Sequence, residues 1–207
     1  MEKLAVLVHN TIRIGKDIYF DPYAIRVKTP KARLIFITHS HYDHLSEDDL
    51  RKIITPETKV VCPIDCVPTL NKLGVEINKI VIVVPNQTLT VCGIKVKTIP
   101  AFNLTKHFHS IDKGWVSYII NIDGVKYAVL GDTDMNEDNQ KIKCDVLFVP
   151  IGGKFTMDLK EAAELTNIIK PKLAIPTHYG EIIGDKSFGK EYASLVDKSI
   201  KTKVFIK

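Results

Sequence analysis

Leu34-Ile35-Phe36-Ile37-Thr38-His39-Ser40-His41-Tyr42-Asp43-His44 joins an apolar run to three imidazoles and a carboxylate. The run at 34–38 is almost wholly apolar, which suits a strand buried on both faces. His39 and His41 are two apart, so on an extended segment they project to the same side. Asp43 and His44 fall where the chain turns, which aims them at a second, neighbouring point. Ser46 with Asp49 three residues on, followed by the stripe Leu50, Ile53 and Ile54, predicts a helix start. Imidazole and carboxylate donors grouped at the end of a buried strand suit Zn²⁺, and also Fe²⁺ or Mn²⁺.

The rest of the chain sets this segment in an α/β pattern. Upstream, the runs at 4–8, 11–14, 17–20 and 24–27 are short, rich in β-branched and aromatic residues, and broken by Gly15 and Pro22; they predict antiparallel strands. Downstream, strands are expected at 59–62, 79–84 and 89–99, the last with a turn or bulge at Gly93. The runs 116–122 and 125–130 flank Asp123-Gly124, a strong hairpin signal. A buried strand follows at 145–150. Asp158 with Glu161 resembles a capping box opening an amphipathic helix (Leu159, Ala162, Ala163, Leu165, Ile168, Ile169) that Pro171 ends. A strand at 173–177, a helix over 188–201 and a short strand at 203–206 complete the pattern. This order predicts two sheets packed face to face with helices outside, a four-layer αββα sandwich, as one domain over residues 1–207.

With 45% apolar and 26% charged residues, the 207-residue chain can bury a sizeable core and is not of disordered type. The net charge of +5 arises from 29 basic against 24 acidic residues without any block of five like charges, which reads as a solvated lysine-rich surface. That excess could also draw a small anionic substrate toward a cleft. No apolar run approaches membrane-spanning length, and the LAVLV segment at 4–8 is too short for an export signal. Four cysteines (Cys62, Cys66, Cys92, Cys144) then read as reduced, mostly buried thiols of a cytoplasmic protein. Cys62 and Cys66 lack the second pair that a tetrahedral metal site would need.

The segment T-H-S-H-Y-D-H-L resembles the T-H-x-H-x-D-H motif of the metallo-β-lactamase superfamily. The resemblance continues through Pro100-Ala101-Phe102-Asn103, Gly131-Asp132-Thr133-Asp134, Pro150-Ile151-Gly152-Gly153 with Thr156-Met157, and Pro176-Thr177-His178-Tyr179-Gly180. It covers roughly residues 1–185 and is similar to the compact branch that includes ascorbate-phosphate lactonase-like hydrolases. It implies a first ion held by His39, His41 and a later histidine, and a second held by Asp43, His44 and His178. Asp132 would bridge the two. Many relatives carry a histidine where this chain has Asn103. His107 and His109 are both candidates for the missing ligand: spacing cannot choose between them, and the Asn103-type variant of the family favours His109. Asn103, Lys106 and His107 are then expected near the substrate, and Asp134 and Tyr179 beside the ligands. His9, remote from every motif, reads as a surface histidine.

The implied chemistry is hydrolysis of an ester, lactone or related bond by a hydroxide bridging two divalent ions, most naturally zinc, with Asp43 and Asp132 as catalytic carboxylates. A phosphodiesterase or nuclease of the same superfamily is the alternative, although the chain has no room for the extra domain of RNA-processing branches. A flavodiiron-type oxygen reductase would favour a glutamate at His41, and an inactive scaffold would not keep so full a ligand set. The expected partner is therefore a small molecule, not a membrane or nucleic acid, with homo-oligomerisation left open.

Overall fold

A computed structural model describes residues 3–207. One sheet has six strands in the order β1 (Leu4–Val8), β2 (Thr11–Ile14), β3 (Ile18–Phe20), β4 (Leu34–Phe36), β5 (Lys59–Cys62) and β6 (Ile80–Ile82). The other has seven: β13 (Lys201–Thr202), β12 (Leu173–Thr177), β11 (Val146–Pro150), β10 (Val125–Val129), β9 (Val116–Ile122), β8 (Ile94–Pro100) and β7 (Thr88–Val91). The helices are α1 (Glu47–Ile53), α2 (Val67–Lys72), α3 (Leu159–Ile169) and α4 (Phe188–Leu195). Among the described residues, no helix is long and apolar enough to cross a membrane.

Three buried clusters define four layers. Between the sheets, Phe20 and Phe36 stack and meet Tyr118, with Val129, Phe148 and Ile175 in the same cluster. Outside the first sheet, Tyr19, Ile35 and Val60 share a cluster with Leu50 and Ile53 of α1 and Leu70 of α2. Outside the second, Ala128, Leu147 and Ala174 share one with Ala162, Leu165 and Ile169 of α3 and Tyr192 of α4. β4 and β11 have both faces covered, which explains their unbroken apolar reading. The α/β class and the αββα layering expected from the sequence are present.

The local expectations fare unevenly. The Asp123-Gly124 hairpin forms in register, Val125 opposite Ile122, with φ of 49° and 81° at its two turn residues. The turn expected at Gly93 forms: Cys92 and Gly93, at φ 48° and 76°, reverse the chain and divide the 89–99 run into β7 and β8. The N-terminal sheet is antiparallel only as far as β3; β3, β4, β5 and β6 pair in parallel. Residues 24–27 form no strand. The Asp49 carboxylate takes the Ala24 and Ile25 amides at 2.7 and 2.9 Å, removing donors a ladder would use. Asp158 caps α3 through the Lys160 and Glu161 amides, but Glu161 accepts from the Met135 amide and closes no capping box. The last helix stops at Leu195, and the final strand lies at 201–202 instead of 203–206. Cys62 and Cys66 are buried as expected, whereas Cys92 is exposed.

Candidate metal centre

The ligand-bearing segments leave the strands at one edge of the sandwich. Thr38 and His39 follow β4, Asp132 follows β10, and His178 follows β12. The first and second of these cross tightly. A Cβ at Gly131 would stand 2.9 Å from Thr38 Cβ and 3.0 Å from the Val116 carbonyl oxygen, so only glycine lets Asp132 approach. Gly152 does the same for His178, whose carbonyl oxygen would lie 2.5 Å from an added Cβ.

Seven histidine and aspartate side chains expected at the site converge. Donor atoms of His39, His41 and His109 lie within 4.8 Å of one another; those of His39, His44 and Asp132 form a second such group, and those of His9, Asp43, His44 and His178 a third. Asp132 stands between them. Its Oδ2 lies 3.0 Å from His178 Nε2 and 3.3 Å from His109 Nε2, and its Oδ1 lies 3.3 Å from His44 Nε2. Of the two open candidates, His109 is buried in the cluster, whereas His107 is exposed.

The hydrogen bonds behind these rings fix which nitrogen faces inward. Thr38 Oγ1 gives its proton to Asp21 Oδ2 at 2.8 Å, so at 3.0 Å it can only accept from His39 Nδ1. His44 Nδ1 donates to Asp21 Oδ2 at 2.7 Å, and His109 Nδ1 donates to Asn103 Oδ1 at 2.9 Å. Each ring therefore turns Nε2 toward the cluster, the arrangement by which outer hydrogen bonds orient metal-ligating imidazoles. Inside, His44 Nε2, His109 Nε2, His178 Nε2 and Asp132 Oδ1 are buried without a hydrogen-bond partner. Several unpartnered donor atoms aimed at one another are costly unless a cation lies among them, so these residues fit divalent metal.

The electrostatics agree. Burial, then the neighbouring His44, holds the His39 imidazole well below its ordinary value. Burial also lowers His41, and pushes His109 down to about 4. Burial alone would raise the Asp132 carboxyl, but His178 and His44 hold it far below the usual carboxylate range. At Asp43 burial is likewise overcome, by the His9 hydrogen bond and by His44, leaving it at about 2. His44 is the exception: against burial, Asp132 and Asp21 raise it well above the ordinary imidazole value. The same anionic field that would hold a proton there favours a metal cation.

Three surrounding residues depart from expectation. His9 is wholly buried, not on the surface: its Nε2 donates to Asp43 Oδ2 at 3.1 Å and its ring lies 3.8 Å, centroid to centroid, from that of His178. Asn103 does not line the cavity. It lies beneath His109, its side-chain oxygen accepting from the ring while its backbone N–H donates to the His109 carbonyl at 2.7 Å. Asp21, which no sequence motif marks, accepts from Asn10, from the Thr38 amide and hydroxyl, and from His44. Asp134 binds Asn103, the Leu104 amide and Lys106, bracing the loop that carries His109. Tyr179 points away, to the Ile206 carbonyl.

Known proteins are similar to this chain in sequence and in fold. The family profile described as the beta-lactamase superfamily domain matches residues 3–178. A UPF0173 metal-dependent hydrolase of Thermococcus onnurineus (strain NA1) is 32% identical over 200 residues, covering 86% of this chain and 85% of that protein. Among solved structures, a candidate metal-dependent hydrolase from Parabacteroides distasonis ATCC 8503 superposes with a TM-score of 0.81 at 24% identity, covering 99% of this chain and 93% of that one. Igni18, a metallo hydrolase from Ignicoccus hospitalis, gives 0.74 at 20% identity, covering 97% and 93%. The match to the family profile and to this relative, with the layering of the fold, shows that the chain belongs to the metallo-β-lactamase superfamily, among its UPF0173 metal-dependent hydrolases.

Proposed function

We propose that the protein hydrolyses an ester, lactone or related bond of a small molecule, using two divalent ions, with zinc the best match to the donors. The observation that carries this reading is the place of Asp132: its Oδ2 reaches both His109 and His178 and its Oδ1 reaches His44, so one carboxylate meets histidines of both donor groups. His39, His41 and His109 would hold the first ion, Asp43, His44 and His178 the second, with Asp132 shared. When bound, such a pair supplies water acidified to near neutrality and positive charge for a developing oxyanion.

The protein's own groups do the remaining work. Asn103, Thr38 and Asp21 hold three rings in the required tautomer. Asp43 borders a cavity of about 210 Å³ over the cluster, and its carboxylate, kept ionised by His9 and His44, would hold the second ion and accept a hydrogen bond from the attacking water. The free thiols support the cytoplasmic setting expected from the sequence. The test is a panel of esters, lactones and phosphodiesters offered to metal-reconstituted protein. Ester or lactone cleavage that stops on chelation is expected. Cleavage confined to phosphodiesters would move the protein to the nuclease-like alternative.

A further inference from the structure

The cavity beside the cluster has two unlike sides. One is formed by His41, Asp43, His109 and Asp132; the other by Tyr42, Phe108, Phe155 and Ile182. Tyr42 and Phe108 are 67% and 46% exposed, a large apolar surface to leave open beside a polar centre. Phe108 is braced edge-on against Phe155, with centroids 4.7 Å apart at 82°. Two of the three aromatic wall residues adjoin a cluster residue in sequence: Tyr42 lies between His41 and Asp43, and Phe108 precedes His109. Much of the apolar wall is thus carried by the segments that carry the cluster.

Among the described residues, no lysine or arginine lines this cavity. Lys106 is ion-paired to Asp134, and Lys154 stacks on the Phe155 ring with its Nζ 5.0 Å from the centroid. Away from the proposed ions, a charged arm of a substrate would lose its hydration against the aromatic carbon of this wall, whereas an alkyl or aryl arm would gain contact there.

Resting on the hydrolytic reading above, we infer that the cavity receives an uncharged alkyl or aromatic acyl group, so that the substrate is an apolar ester or lactone. Water adds its hydroxyl to the acyl carbon, the acyl C–O bond breaks, and the leaving oxygen takes the remaining proton; nothing is oxidised or reduced. Enclosing the acyl chain against Phe108 and Phe155 strengthens association by up to about fourfold per methylene.

The test uses the metal-loaded full chain and two readouts. Product-like carboxylates (acetate, butyrate, hexanoate, and adipate as the doubly charged counterpart of hexanoate) are titrated calorimetrically, and kcat/KM is measured for p-nitrophenyl esters of the three monoacids. Affinity and kcat/KM should both climb severalfold from acetate to hexanoate, and hexanoate should bind more tightly than adipate. Phe108→Ala and Phe155→Ala should flatten both slopes while metal content and melting temperature stay near those of the parent. A flat slope in the parent, adipate binding better than hexanoate, or slopes unchanged in both variants would overturn the inference. If affinity climbs with chain length but no ester is cleaved, the apolar pocket stands and the hydrolytic reading fails.

Discussion

His9 reaches Asp43 from the turn between β1 and β2, donating Nε2–H to Oδ2 across 3.1 Å. The contact is built with some strain: His9 sits at φ 51° and His178 at φ 60°, and the His178 amide donates to the His9 carbonyl at 2.9 Å. Two left-handed residues thus lock the first hairpin to the loop after β12, with their rings in contact. The pair ties the start of the chain to the group of donors proposed for the second ion.

Removing the His9 ring should weaken that ion selectively. His9→Ala is expected to lower affinity for the second ion by about 10–100-fold, the usual effect of losing a partner that orients a ligand. His9→Gln, which can still donate to Asp43, should recover part of it. Metal titration with a competing chelator measures both. Equal affinity in parent and His9→Ala would reduce His9 to a packing residue.

The loop after β8 gives a sharper contrast. His109→Ala should lose the first ion and cleave substrate at a small fraction of the parental rate, a larger deficit than His9→Ala produces. His107→Ala, altering an exposed side chain outside the cluster, should keep full metal content. Elemental analysis of the two variants decides it: metal loss in the His107 variant with normal loading in the His109 variant would reverse the assignment.

What the sequence made legible follows from the range of the contacts involved. His39, His41, Asp43 and His44 sit within one turn of chain, and Asp132 and His178 each follow a recognisable buried strand, so their grouping could be anticipated. Even Asn103, in the place of a histidine, pointed toward His109. His9 and Asp21 stayed hidden because their partners lie 34 and 23 residues away. Their one local signal is that each falls in or beside a tight turn. The parallel pairing of β3 with β4 escaped for a similar reason, since apolar alternation marks a strand but not its neighbour.

Asp49 provides a stability test away from the metal centre. Burial alone would raise its carboxyl, but hydrogen bonds from Lys52, Ser46 and the Ile25 and Ala24 amides hold it below the ordinary 3.8. A depressed carboxylate stabilises the fold above its unfolded value and loses that contribution as the pH falls through the folded one. Asp49→Asn should therefore cost about 1–3 kcal/mol at neutral pH, mainly through amides left poorly paired, and the deficit should shrink below about pH 4. Urea denaturation at several pH values measures it; a deficit independent of pH would show that the charge contributes nothing.

The most direct test of a shared two-ion centre is metal stoichiometry read together with turnover. The full chain, stripped by chelation and titrated with Zn²⁺, should take up close to two ions, with ester or lactone hydrolysis absent from the stripped protein and restored as the second ion binds. Asp132→Ala should depress both binding steps, because its carboxylate faces both groups of donors. Uptake of less than one ion per chain, or hydrolysis undiminished in the fully stripped protein, would contradict the account.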